Sequence, residues 1–276
     1  MALPSTPGVA LPASLEAARI DGLPASAYYI PNFISVDEEQ LILDKVRYPP
    51  SRQELKPPSC PVCSPFVLIR KEGQKIAAAP KPRWKQLTHR RLQTWPSDLV
   101  RDKLLDAVLP PWLESPVVPR LQSMPVSSGD TAAHLFSGSP HTRPNHVLIN
   151  EYPPGDGGAY WPVVCTVSLG ASLCLNLHRS KEDGALDPKP AWRILQEPRS
   201  LLITTDELYT DHLHGIADIE EDVDLSQETV ANWSLLGDPS VFADGRNVRQ
   251  TRTSLTYRDV LQVSKAASKI GLFMKR

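Results

Sequence analysis

The chain has 276 residues, of which 41% are apolar and 22% are charged, a composition typical of a globular protein with a buried core. Its net charge of −1, from 30 basic and 31 acidic residues, excludes a wholly basic nucleic-acid-binding arm and an acidic tail. Its 28 prolines are about twice the usual share, which argues against long helical bundles and favours loops and edge strands.

The sequence also indicates a cellular context. No stretch approaches 18 consecutive apolar residues, so we expect no membrane span. Residues 1–23 have no basic n-region and prolines interrupt their apolar stretches, so we expect no signal peptide. Four cysteines in such a chain predict reduced thiols. We therefore expect a soluble protein of the cytoplasm, the nucleus or both.

Three segments are predicted to lack regular structure. Residues 1–24 are rich in Ala, Pro and Ser and are predicted to be a flexible tail, which leaves 25–276 as one domain. Residues 48–80 contain several prolines and no sustained periodicity, so they are interpreted as an inserted loop. The Cys-Pro-Val-Cys run in that loop has zinc-like spacing, but no second pair supplies the four ligands of a structural zinc. An acidic, irregular loop is predicted over 218–245.

A helix is predicted from Val36 to about Val46. Ser35 is a suitable N-cap, and acidic residues in the first turn favour the positive end of the helix dipole. Leu41, Ile42 and Val46 are predicted to form its buried apolar stripe. A basic segment follows over 80–95; it reads PKPRWKQLTHRRLQTW and contains no acidic residue.

From Asn145 onward the sequence alternates between apolar and polar residues, as half-buried strands do. The predicted strands lie around 147–149, 163–169, 173–177, 200–204, 212–217 and 251–260. Short strands at this spacing, combined with helices from the first half, predict a mainly β (α+β) fold with a sandwich or jelly-roll core.

Two histidines of one predicted strand are candidate metal ligands. His212 and His214 lie two residues apart, so they point to the same face of the strand. Adjacent ligands of one metal have this arrangement. Hydrogen-bonded histidines at a strand end are the alternative.

Another strand face is suited to an anion. Arg252, Ser254 and Arg258 have even spacing and therefore share a face. If that face is buried, the guanidinium groups require an anionic partner, and a small dicarboxylate would fit. The alternative is two solvated arginines. Asn150 and Tyr152 share a face of their own strand and could hydrogen-bond a ligand or buried backbone.

Segments spread over most of the chain, outside the tail and the two loops, together carry a family resemblance. They are 28–33, 80–95, 145–152, 154–157, 166–170, 197–201, 214–216 and 252–258. In this order they resemble the AlkB-type family of iron(II)/2-oxoglutarate dioxygenases, most closely its homologue-six branch. The resemblance implies a double-stranded β-helix, a jelly-roll variant.

The resemblance also implies a reaction. Members hold iron(II) by two histidines and one carboxylate, which leaves positions for 2-oxoglutarate and oxygen. They oxidatively dealkylate alkylated nucleic acid, or protein. His214 resembles the distal iron histidine of the family.

Other residues are implied by position in the family pattern. The residues that resemble its 2-oxoglutarate-binding set are Asn150, Tyr152, Arg252, Ser254 and Arg258. The 80–95 segment resembles its nucleic-acid-facing lid, where cations beside aromatic rings suit phosphate contact and base stacking. The candidate contacts are Lys81, Arg83, Lys85, Arg90 and Arg91; a solvated basic loop is the alternative.

This chain departs from the family at the iron site. Where the family has a His-x-Asp pair, Gly157 is followed directly by Gly158. This gap and the 48–80 insertion have abrupt edges, which favours misassigned exon boundaries; a genuine loss of activity, leaving a non-catalytic nucleic-acid-binding module, is the alternative. A third alternative is a substitute iron site formed by Asp156, His212 and His214. We expect the chain as written to bind iron weakly or not at all.

Overall fold

The computed structural model describes residues 9–23, 27–47, 84–87, 90–101, 103–105, 108–153, 158–160, 165–179, 189–205, 208 and 212–264. The predicted loop over 48–80, together with Lys81, Arg83 and Asp156, lies outside the described residues.

Strands dominate the second half of the chain. They are β1 (Ala27–Ile30), β2 (Lys85–Gln86), β3 (Arg91–Trp95), β4 (Leu104–Leu105), β5 (Pro125–Ser127), β6 (Asp130–His134), β7 (His146–Tyr152), β8 (Gly158–Tyr160), β9 (Cys165–Leu169), β10 (Leu173–Arg179), β11 (Trp192–Gln196), β12 (Leu201–Thr204), β13 (His212–Ile216), β14 (Glu221–Asp222), β15 (Asn247–Val248), β16 (Arg252–Arg258) and β17 (Val263–Ser264). The helices are α1 (Val36–Arg47), α2 (Pro111–Glu114) and α3 (Val117–Ser123), with short 3-10 turns at Leu15–Ala18, Trp233–Leu235 and Pro239–Phe242.

Two antiparallel sheets form the body of the fold. The larger sheet has seven strands in the order β1-β12-β9-β16-β7-β3-β2, and the smaller has four in the order β11-β10-β13-β8. Apart from the β2–β3 and β10–β11 pairs, neighbouring strands within each sheet are not consecutive in sequence, because the chain crosses repeatedly between the sheets. The predicted mainly β fold with a jelly-roll core is confirmed.

The larger sheet buries both of its faces. Its outer face packs against the helices through side chains such as Val147, Val167 and Leu255. Its inner face packs against the smaller sheet, where Tyr29 and Tyr152 join a second apolar cluster. Residues directly opposite each other in neighbouring strands point to the same face, so register decides which side chains enter the space between the sheets.

The predicted first helix is confirmed as α1, and its start follows a capping box. The Ser35 hydroxyl accepts the Glu38 backbone N–H, while the Glu38 carboxylate accepts the Ser35 N–H at 2.7 Å. The predicted stripe is wrong at Leu41, which is 51% exposed; Ile42 and Val46 are buried as expected. Glu39 is buried instead, where it pairs with Arg199.

Two segments expected to be irregular pack on the sheets. Residues 9–23 contain a 3-10 turn and bury Leu15 and Ile20, which differs from the flexible tail that composition predicts. The 218–245 segment has little regular structure, yet Asn232 exchanges two hydrogen bonds with the backbone of Leu195 in β11. Within the described part of the chain, no helix has the length and apolarity needed to cross a bilayer.

Candidate functional site

The candidate 2-oxoglutarate residues lie on one face of two neighbouring strands. In the β16–β7 register, Arg252 lies opposite Tyr152 and Ser254 opposite Asn150. All four are buried, and Tyr152 belongs to the apolar cluster between the sheets. The predicted shared faces are therefore correct, and they point into the jelly roll.

Arg252 is the most deeply buried cation of this face, with 0% of its surface exposed. Its Nη2 donates to Ser168 Oγ at 2.8 Å and to Gln196 Oε1 at 2.9 Å. Its guanidinium carbon lies 5.9 Å from the centre of the Tyr152 ring. A buried charge is costly without such hydrogen bonds, so the strands around Arg252 are built to hold a cation.

Ser168 and Gln196 were not identified from the sequence. Ser168 lies on β9, opposite Ser254, and Gln196 is the last residue of β11 in the smaller sheet. Ser168 also donates to Gln196 at 3.1 Å. No motif marks either residue, because their contact with Arg252 depends on strand pairing over 56 and 84 residues of sequence.

Arg258 lies at the other end of β16. Its Nε donates to Nδ1 of His146, the residue directly opposite on β7, at 3.2 Å. His146 is fully buried, and this burial, followed by the neighbouring Arg258 charge, lowers its pKa to about 4. Arg252 and Arg258 therefore share one face of β16, six residues apart, a spacing that covers roughly 20 Å in a straight strand.

His214 lies on the smaller sheet and points into the same interior. It is opposite the buried Leu177, and burial lowers its pKa. Its Nε2 lies 2.8 Å from the Leu208 carbonyl oxygen. Since a carbonyl can only accept, Nε2 carries the proton and offers no lone pair to a metal in this arrangement.

His212 shares the face of His214, as predicted, because the β10 residues opposite them are two apart. Its ring packs edge-on against Trp192 at 5.3 Å. Among the residues that the structure describes, no three His, Cys, Asp or Glu side chains are grouped as a metal site would require. The described residues therefore do not fit iron, since His214 Nε2 is engaged with a carbonyl and the sequence has no His-x-Asp pair.

The basic segment is only partly described. Lys85 is exposed and forms an ion pair with Asp98 at 2.6 Å. Arg91 pairs with Glu151 at 2.5 Å and stacks over Trp84, 4.4 Å from the ring centre. Because Arg91 is opposite Glu151, which is opposite Thr253, it lies on the outer face of the larger sheet, away from Arg252. Arg90 is half-buried.

Comparison with known proteins decides the family. A protein of Danio rerio, "Probable RNA/DNA demethylase ALKBH6", is 30% identical over 270 residues, which cover 93% of this chain and 95% of that protein. This chain belongs to the AlkB-like family of 2-oxoglutarate- and iron(II)-dependent oxygenases. Within that family it is close to ALKBH6, as the sequence segments indicate. No family model matches the chain.

Solved structures of lower identity are also similar to this AlkB-like chain. OsALKBH1 is 16% identical, covers 86% of this chain and 99% of its own, and has a TM-score of 0.40. A full-length Neurospora crassa protein, solved in complex with alpha-KG, is 10% identical, covers 84% of this chain and 75% of its own, and has a TM-score of 0.33.

The AlkB-like family implies 2-oxoglutarate as a cosubstrate, and the donor set between the sheets fits it. A guanidinium group binds carboxylates through paired hydrogen bonds, and the fully buried Arg252 supplies such a group. The hydroxyl of Ser254 and the amide of Asn150 are short polar groups on the same face. Their chemistry suits a small dicarboxylate better than an apolar ligand.

Proposed function

We propose that this AlkB-like protein binds 2-oxoglutarate on the inner face of β16 and β7, and that the activity of its lineage is the oxidative dealkylation of RNA or DNA. The observation that carries the proposal is the complete burial of Arg252 between the two sheets. The demethylase name of the Danio rerio relative supports nucleic acid as the substrate. Such a substrate agrees with the cytoplasm or the nucleus as its compartment.

Each residue of the inner face has a distinct task in this proposal. Arg252 holds one carboxylate of the ligand, since its burial strengthens the charge–charge attraction. Ser254, Asn150 and Tyr152 hydrogen-bond and orient the ligand. Arg258 supplies the second cation, from the opposite end of β16.

The His-x-Asp pair is the part of the family's iron-binding pattern that this sequence lacks. In the family, iron(II) with oxygen supplies the oxidation of the alkyl group. Because the described residues do not fit iron, we propose that the chain as written binds 2-oxoglutarate without turning it over.

The origin of the missing pair can be tested on the message. We would reverse-transcribe and read it across the codons for Gly157 and Gly158. Extra codons that restore a His-x-Asp pair would make this chain an incomplete copy of an active dioxygenase. A message that runs straight from Gly157 to Gly158 would make the loss genuine, and the protein a binder.

Binding of 2-oxoglutarate is tested by isothermal titration calorimetry on the full chain with EDTA present. We expect saturable binding that falls at least about tenfold in Arg252→Met, the scale of one charged hydrogen-bonded contact. The control is Arg246→Met, which removes an arginine paired with Glu221 on the surface. Absence of binding in the unmodified chain, or equal loss in both variants, would contradict the proposal.

A second function, nucleic-acid binding without catalysis, is favoured by the stacking of Arg91 over Trp84 beside the exposed Lys85. Fluorescence anisotropy with labelled single-stranded RNA and DNA should then show affinity that falls steeply with salt. Replacing Arg90 and Arg91 together by Gln should weaken binding, while Arg246→Gln should not. Salt-independent binding would count against this function.

A further inference from the structure

His146 is a buried polar residue without an assigned role, and it lies beside one of the two candidate ligand-binding arginines. It occupies the first position of β7, directly opposite Arg258 on β16. Its side chain is fully buried, whereas Arg258 is half-buried. The hydrogen bond between the two side chains runs from Arg258 Nε to His146 Nδ1, at 3.2 Å.

The direction of this hydrogen bond determines the state of the imidazole. A guanidinium group has only donors, so His146 Nδ1 must accept with its lone pair, and the ring proton lies on Nε2. A protonated ring would offer no acceptor. Burial and the Arg258 charge lower the pKa of His146 to about 4, against the opposing effects of the Ser97 backbone and Asp98, so the ring is neutral at physiological pH.

A neutral acceptor at this position constrains the arginine. The guanidinium group is a rigid planar fork, so fixing Nε also limits the orientation of its two terminal nitrogens. An arginine side chain otherwise loses considerable rotamer entropy when it binds a ligand. Pre-ordering it before binding reduces that cost.

We infer that His146 is a positioning residue for the binding of 2-oxoglutarate. It acts through Arg258, whose guanidinium group it holds on the inner face of the larger sheet. This inference rests on the proposed 2-oxoglutarate site. It assigns His146 no contact with the ligand. The two arginines then approach the ligand from opposite ends of β16, Arg252 held by Ser168 and Gln196, and Arg258 held by His146.

The test is a double-mutant cycle, with 2-oxoglutarate affinity measured by calorimetry on the full chain. The variants are His146→Phe, Arg258→Met and the double variant. We expect His146→Phe to weaken binding by about tenfold in the unmodified background and to have no further effect once Arg258 is replaced. A residue that only supports the fold would weaken binding in both backgrounds.

His146→Gln is the second variant, because its side-chain oxygen retains an acceptor and it is the safer change if His146→Phe fails to fold. We expect His146→Gln to keep affinity within about threefold, whereas His134→Phe, outside the two sheets, should be neutral. Two results would overturn this inference and leave the proposed function standing. One is an unmodified protein that binds 2-oxoglutarate with the same affinity as His146→Phe; the other is an equal loss of affinity on replacing His146 with and without Arg258. An unmodified protein that does not bind overturns the proposed function and this inference together.

Discussion

Gln196 joins the two sheets of the jelly roll through Arg252, whose Nη2 donates to the Gln196 side-chain oxygen at 2.9 Å. The same oxygen accepts from Ser168, so three strands meet at one buried acceptor. The cationic end of the candidate site is therefore part of the junction between the sheets. Its residues are expected to affect both stability and ligand binding.

Replacing Gln196 by Leu should destabilise the protein by about 1.5–3 kcal/mol, because a buried guanidinium loses an acceptor. Urea unfolding measures the free energy of unfolding. The matched control is Gln40→Leu, on the exposed face of α1, where Gln40 bonds to Asp44 and the loss should stay below about 0.5 kcal/mol. An equal loss of unfolding free energy in the two variants would show that the contact between Gln196 and Arg252 does not stabilise the protein more than a surface hydrogen bond does.

The 218–249 region offers a second matched pair of substitutions, one at a buried ion pair and one at a surface ion pair. Asp222 and Arg249 form an ion pair at 2.7 Å and are almost completely buried, with one further hydrogen bond from Asn247 to the Asp222 carboxylate. Asp222→Asn should destabilise the protein by about 3–5 kcal/mol, because it leaves a buried charge uncompensated.

The neighbouring Glu221 pairs with Arg246 on the surface, so Glu221→Gln should cost less than about 1 kcal/mol. Thermal and urea unfolding of both variants checks the difference. A Glu221→Gln effect as large as that of Asp222→Asn would contradict the assignment of the buried pair as the anchor of this region.

Stability should fall as the solution is acidified. In the folded state the pKa of His146 is about 4, below the unfolded value of about 6.5, so the unfolded chain binds the proton first. The contribution of neutral His146 to the free energy of unfolding is therefore fully present above about pH 6.5 and is lost as the pH falls towards 4. Between pH 7 and 5 the free energy of unfolding should fall by about 2 kcal/mol. Burial lowers the pKa of His214 as well, which acts in the same direction.

Urea unfolding at pH 7 and pH 5 checks this dependence. His146→Gln removes the titrating group, so its stability should change less between the two pH values than that of the unmodified protein. The same change in both proteins would mean that His146 does not titrate in this range.

Metal binding gives a further test. Because His214 Nε2 donates to the Leu208 carbonyl, we expect no saturable binding of Mn²⁺, a redox-stable substitute for Fe²⁺, and no difference between the unmodified chain and His214→Gln. Calorimetry with Mn²⁺ measures this directly. Stoichiometric binding that disappears in His214→Gln would instead support a substitute iron site with His212 and Asp156.

Local patterns predicted most of the elements that frame the site. Helix α1 follows from the capping residue Ser35 and the spacing of Ile42 and Val46. Strands β7 and β16 follow from alternation, and alternation also predicts which of their residues share a face. These predictions succeed because backbone periodicity depends only on nearby residues. The predicted burial of Leu41 is wrong, since periodicity cannot tell which edge of an apolar stripe a neighbouring element covers.

The sequence by itself determined the chemistry of the inner face: the arginines, the short polar residues, and the gap where the family has its His-x-Asp pair. Only the tertiary structure decided what surrounds them. Ser168 and Gln196 reach Arg252, His146 reaches Arg258, and the Leu208 carbonyl reaches His214, through strand register and loop packing. Such contacts join residues that are distant in sequence or lie in a loop, so local propensity contains no information about them, and burial makes each of them strong.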